Sequence, residues 1–270
     1  MKLQIIGAGN LATNLALSAR DCGHEIVGVV SRTAAHALEL ARLADCPWST
    51  SVDAISDEVE ICVIAVSDDA LPHVISTLPR RERTLFVHTA GSQPMSIFDG
   101  RERMCGVWYP MQSFSKQRRV NFKNISCFLE ANTPEASERL RQFAYSLSDN
   151  LYQLPTPQRQ MLHLAAVFAS NFSNHCYTLA SQLAQQAGVP FSAFLPLIDE
   201  TTAKVHQLSP LDAQTGPARR GDREGVAREG RLLQGQPDLM AIYALLNRSI
   251  EAAERERQRS IATPTEGKQL

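Results

Sequence analysis

The sequence predicts an α/β protein: an N-terminal domain built on a doubly wound parallel sheet, followed by an all-α C-terminal domain. Three observations predict it. Short apolar runs alternate with amphipathic stretches from Met1 to about Pro155. Those runs are continuously apolar, as strands covered by helices on both faces require. After Pro155-Thr156-Pro157 the strand signals end and only helical periodicity remains. Alternating strand and helix argues for parallel pairing. A chain of 270 residues is comfortable for two cores, so the expected domains are residues 1–155 and 156–260, with residues 261–270 a disordered tail.

In chain order, strands are expected over residues 3–6, 26–30, 61–66, 85–87, 107–109 and 127–129, and helices over 10–22, 34–43 and 69–78. The two prolines after Leu154 cannot extend a helix interior and mark the boundary. Beyond them helices are expected over 158–187, 191–207, 223–234 and 238–257.

Residues 160–198 contain no Asp, Glu, Lys or Arg. A surface helix rarely lacks charge over such a length, so this one is expected to be enclosed, domain against domain and subunit against subunit. Asn171, Asn174, His175, Gln182, Gln185 and Gln186 place too many polar groups there for a transmembrane span. At about 100° per residue, Leu164, Phe168, Phe172, Leu179 and Leu183 share one face, and His163, Ser170, Asn174 and Ser181 another. That polar stripe meets water in a cleft, a ligand, or polar groups of neighbouring helices.

The chain is 44% hydrophobic and 20% charged with net charge −1, which leaves no electrostatic footprint for nucleic acid or an anionic membrane. Small molecules and a second copy of the chain, as a homodimer, are the expected partners. The six cysteines show no C-x-x-C pair and no zinc-ligand spacing with His, so no metal site is expected and the thiols are read as reduced. The N-terminus enters a strand directly, without room for a signal peptide, and a cytoplasmic location is expected.

Chemistry enters at Gly7-Ala8-Gly9-Asn10-Leu11-Ala12, which ends the first strand and opens a helix. In that context Gly7 permits the tight turn, Gly9 lets the backbone approach a pyrophosphate, and Ala12 lets the helix pack closely. The free N–H groups of the helix start face the anion. This is the fingerprint of a Rossmann domain. An acid that would bond the ribose hydroxyls of NAD is missing after the second strand, which instead ends Val30-Ser31-Arg32-Thr33. A guanidinium and two hydroxyls suit a 2′-phosphate, so NADP is the expected cofactor. Ser31 could also cap the following helix, with Arg32 solvated.

Two later loops lie at carboxyl ends of strands, where ligands of open α/β sheets bind: Val66-Ser67-Asp68-Asp69 and His88-Thr89-Ala90-Gly91-Ser92. The expected cofactor set is therefore Gly7, Ala8, Gly9, Asn10, Leu11, Ser31, Arg32, Val66, Ser67, Asp68, His88 and Thr89. His88 is either a proton donor near the nicotinamide or a histidine that holds the loop. His163 is the second candidate proton donor. Asn171 and Asn174 are candidate catalytic amides, able to polarise a carbonyl without ionising. Residues 215–222 combine a Gly-Pro turn with Arg219, Arg220 and Asp222; Arg220, with Asn174, is the expected substrate-binding pair, unless these charges are only surface pairs.

These segments, with Gly106-Val107-Trp108-Tyr109-Pro110-Met111-Gln112-Ser113-Phe114 and residues 165–174, make the chain resemble a family of Rossmann-like NADP oxidoreductases with a C-terminal helical domain of unknown function. The resemblance covers nearly the whole chain. It implies kinship with pyrroline-carboxylate reductases, ketopantoate reductases and 6-phosphogluconate-type dehydrogenases, a C-terminal domain of the 6-phosphogluconate dehydrogenase type, and a cleft between domains. The long helix offers Asn171 and Asn174 but no lysine, which hydroxyacid dehydrogenases of this kind use as acid/base. The function expected is hydride transfer between NADP(H) and a small carbonyl, imine or alcohol; the alternative is a non-catalytic NADP(H)-binding sensor.

Overall fold

The computed structural model describes residues 1–100 and 104–262. Most of the tail expected to be disordered, from residue 263 on, lies outside the described residues. Two compact units are present, Met1–Ser173 and Asn174–Leu270.

The first unit is built on eight strands: β1 (Lys2–Ile6), β2 (Glu25–Val30), β3 (Trp48–Ser49), β4 (Ile61–Ile64), β5 (Leu85–His88), β6 (Cys105–Pro110), β7 (Ser126–Ala131) and β8 (Asn150–Gln153). Their order is β3-β2-β1-β4-β5-β6-β7-β8. Helices α1 (Asn10–Asp21), α2 (Ala34–Ala44), α3 (Leu71–Ser76) and α4 (Pro134–Leu147) connect them. The chain lays β2 and β3 on one side of β1, then returns to place β4 and β5 on the other. That reversal opens a crevice at the carboxyl ends of β1 and β4.

The expectation of a wholly parallel sheet is corrected at one pair: β6 and β7 run antiparallel, with Trp108 opposite Leu129. The link between them holds one short 3-10 turn, Phe122–Asn124, and a parallel return needs a crossover helix. Both faces of the sheet are covered. Leu3, Ile5, Val63 and Trp108 pack with Leu15 of α1 and Phe143 of α4, while Ile6, Val30, Ile64 and Phe86 pack with Ile75 of α3 and Phe98.

Helix α5 (Thr156–Ala166) passes through a π-helical segment, Val167–Phe172, into α6 (Ser173–Gln186). Wider π turns rotate everything after them relative to an ideal helix, so the single pair of faces projected from 100° spacing does not run through Phe172. The expected enclosure is not supplied by one chain: Phe168 is 62% exposed and Phe172 49%. In the second unit α7 (Leu195–Val205), α8 (Pro210–Ala213), α9 (Pro217–Arg220), α10 (Arg223–Arg231) and α11 (Pro237–Ala262) follow. Arg219 meets Glu254 at 3.5 Å and Arg257 meets Asp212 at 3.2 Å, tying α8 and α9 to α11. Among the described residues of this unit, only Ala184, Ala218 and Leu233 are buried hydrophobics.

No helix is long and apolar enough to cross a membrane among the described residues. No group of His, Cys, Asp or Glu there could hold a metal ion, and none of the six cysteines is in a disulfide.

Candidate cofactor and active site

The turn after β1 is fixed by backbone geometry. Gly7 has φ +116°, and a Cβ on it would stand 2.1 Å from the Ala65 carbonyl oxygen, so no larger residue fits. Its N–H donates to the Val30 carbonyl at 2.7 Å. Gly9, the N-cap of α1, is different: a Cβ there meets nothing within 4 Å. No side chain caps α1 and its first turn has no acid, so the N–H groups of Asn10 and Leu11 are left to an anion. Ala12 is fully buried, as close helix packing requires.

A cleft of about 1100 Å³ opens beside this turn, lined by Gly7, Ala8, Gly9, Ser31, Arg32, Thr33, Val66 and Ser67. The ends of β1, β2 and β4 thus meet in one concavity. Arg32 is exposed and has no ion pair among the described residues. Thr33 is the N-cap of α2 without a side-chain cap hydrogen bond, so Ser31 does not cap that helix and both hydroxyls stay available. His36 and Lys116 also line the cleft; neither was expected. Lys116 comes from the segment after β6 and pairs with Glu39 at 2.7 Å, which holds that carboxyl below its ordinary range. Asn14 of α1 anchors this segment, donating to the Ser115 carbonyl at 2.9 Å and accepting the Val120 N–H at 3.2 Å.

The loop after β5 is packed differently. His88 is fully buried and stacked on Phe98, and its Nδ1 accepts the Ala90 N–H at 3.2 Å. Burial, then the nearby Arg159 charge, push its pKa down to about 3; the ring is neutral at physiological pH and holds the loop. The Thr89 hydroxyl donates to the Ile64 carbonyl at 3.4 Å. Asp68 accepts from the Ser92 hydroxyl, joining the loops after β4 and β5.

His163, half-buried on α5, faces the Tyr109 hydroxyl, 3.1 Å from Nδ1. Burial raises the Tyr109 pKa, against the opposing effect of the Arg159 charge. Gly91 separates the pair from the loop: a Cβ there would lie 2.6 Å from His163 Nδ1 and 2.8 Å from Tyr109 Cζ. Beside them Arg159 is fully buried, its Nη2 3.0 Å from Glu130. Sequence reasoning did not assign Tyr109, Arg159 or Glu130. The one signal for Arg159 is that it is the last charge before the uncharged run at 160–198.

The remaining expected residues are described within their own elements. Asn171 lies on the π-helical segment and Asn174 opens the second unit, both exposed. Asp222 caps α10, accepting the Gly225 N–H at 2.8 Å, and Arg219 is engaged by Glu254. Arg220 is exposed at the end of α9 and is left without an ion pair among the described residues.

Residues 2–91 match the family described as NADP oxidoreductase, coenzyme F420-dependent, and residues 125–250 match the domain of unknown function DUF2520. A putative NADP oxidoreductase of Bacteroides fragilis is 43% identical, over 93% of this chain and 98% of that one, with a TM-score of 0.86. The fold is shared with the 1-pyrroline-5-carboxylate reductase of Streptococcus pyogenes, 16% identical over 94% of this chain and 98% of that one, TM-score 0.62. It is shared also with a reductive aminase of Aspergillus terreus solved with NADPH and ethyl-5-oxohexanoate, 16% identical over 94% of each chain, TM-score 0.69. Among curated proteins none matches.

Proposed function

Because the chain belongs to the family of Rossmann-type NADP oxidoreductases that carry this C-terminal helical domain, we propose that it transfers hydride between NADP(H) and a small carbonyl, imine or alcohol. The cleft at the ends of β1, β2 and β4 carries this reading, since Gly7–Gly9 and Ser31–Thr33 line the same space. The residues fit the group. Gly9 leaves room for a pyrophosphate against the uncapped start of α1, and Arg32, Ser31 and Thr33 suit a 2′-phosphate. Val66 and Ser67 line the same cleft; Asn10, Leu11 and Asp68 beside it are assigned to the nucleotide, and buried His88 and Thr89 to holding the loop after β5. When bound, the reduced nicotinamide supplies the hydride.

This chain's own part is to bind, orient and deliver a proton. His163 is assigned as the proton donor to the carbonyl oxygen or imine nitrogen of the substrate. Asn171 and Asn174 are assigned as neutral amide donors to the reacting polar atom, and Arg220 with Asn174 as anchors for the substrate. His88, neutral and enclosed, is assigned to the loop rather than to proton transfer. The functional unit is a homodimer that covers the exposed apolar residues of α5 to α7 and α11. The test is NADPH oxidation across a panel of ketones and imines: turnover above a protein-free control supports the reading, and tight NADPH binding with no turnover across the panel favours a sensor.

A further inference from the structure

We propose that Arg159 is the positioning residue of this site, fixing the loop after β5 and, through Gly91, the Tyr109–His163 pair. The inference rests on the cofactor reading above. Four successive carbonyls of that loop accept hydrogen bonds from two adjacent side chains in the first turns of α5. Arg159 Nη1 donates to the carbonyls of Ala90 at 2.9 Å, Gly91 at 3.0 Å and Gln93 at 2.8 Å. Gln160 donates to the Ser92 carbonyl at 2.8 Å. Arg159 Nη2 turns the other way, to Glu130 of β7 and the Thr156 hydroxyl, both at 3.0 Å. Thr156 in turn donates to Glu130 at 2.7 Å and accepts the Met95 N–H at 3.2 Å.

A fully buried guanidinium is costly to desolvate, and its hydrogen bonds must offset that cost. Here its planar fork spans acceptors that a single ammonium cannot. The loop so gathered presses Gly91, at a distance no Cβ tolerates, against His163 and Tyr109. Helix α5, the loop, and the hydroxyl–imidazole pair therefore move as one body. Ser92 ties the same loop to Asp68, the residue after Ser67 of the cleft lining. Arg159 acts on the part of the cofactor that NADPH and NADH share, whereas Arg32 acts on the 2′-phosphate alone. The Arg159 charge acts on Tyr109 of the pair and on the neutral His88.

Calorimetry on the full chain separates these roles. Arg159→Met and Arg159→Lys are expected to weaken NADPH and NADH by the same factor, at least fivefold, without rescue by lysine; Arg32→Ala is expected to weaken NADPH alone. Gly91→Ala should weaken both nucleotides, because its Cβ would meet both His163 and Tyr109. The second readout is the NMR chemical shift of the His163 ring, which reports its packing against Tyr109 and Gly91 and is expected to move in Arg159→Lys. Unchanged affinities and unchanged His163 ring shifts in Arg159→Lys, or a loss confined to NADPH, overturn the proposal. If the unaltered protein binds neither nucleotide, the cofactor reading fails, and the His163 ring shifts still decide the positioning role.

Discussion

The side chain that Gly7 lacks would point at the carbonyl oxygen of Ala65: a Cβ built there lies 2.1 Å away. Gly7 is a structural glycine, and Gly9, two residues on, is an open one. Gly7→Ala combines a left-handed φ with a clash against backbone, so a loss of roughly 2 to 5 kcal/mol is expected in urea unfolding. Gly9→Ala should leave stability within about 0.5 kcal/mol while lowering NADPH affinity tenfold or more, because its Cβ projects where the pyrophosphate would lie. Equal effects of the two changes on stability would contradict this division.

His88 predicts how stability depends on pH. Its pKa falls to about 3 in the folded protein, against about 6.5 unfolded. Between those values the unfolded chain binds a proton that the folded chain refuses, so this stabilisation is complete above about pH 6.5 and lost as pH falls towards 3. At about pH 4.5 the loss should be about 3 kcal/mol, two pH units at roughly 1.4 kcal/mol each. His88→Asn removes the effect. Urea midpoints near pH 7 and pH 4.5 should differ by that much less in the variant, and identical pH dependence in both proteins would refute the assignment.

Assembly follows from what one chain leaves uncovered. Leu197 is 62% exposed and Leu245 57%, and so few apolar residues of the second unit are buried that it lacks a core of ordinary size. Apolar area of this extent marks an interface, and the simplest closed solution is a two-fold dimer. Sedimentation at micromolar concentration should return a dimer, and Phe168→Glu should shift it towards monomer. A monomer from the unaltered chain would refute the homodimer.

Legibility in the sequence tracked burial. Continuously apolar β1, β2, β4 and β5 were visible because helices cover both their faces, and the glycine turn was visible because Gly7 and Gly9 do separate jobs. Strand direction was not: β7 is as apolar as a parallel strand, and only the helix-poor link before it hinted at reversal. Strand β8, Asn-Leu-Tyr-Gln, is a largely exposed edge and carries no apolar run. Helix α4 was readable yet unread, with Thr133 accepting the Ala136 N–H at 3.1 Å and Pro134 opening its first turn. Arg159 was out of reach, since its acceptors come from a loop 66 to 69 residues earlier and nothing local marks an arginine as buried. Tyr109 and His163 are 54 residues apart and are joined only by the fold.

The cleft is expected to hold NADP(H) through Ser31, Arg32 and Thr33. Isothermal calorimetry of the unaltered protein with NADPH and NADH, repeated on Arg32→Asp, tests it most directly. NADPH should bind at least about tenfold more tightly than NADH, or about 1.4 kcal/mol, and Arg32→Asp should shrink or reverse that preference. Equal affinities for the two nucleotides in the unaltered protein would contradict it.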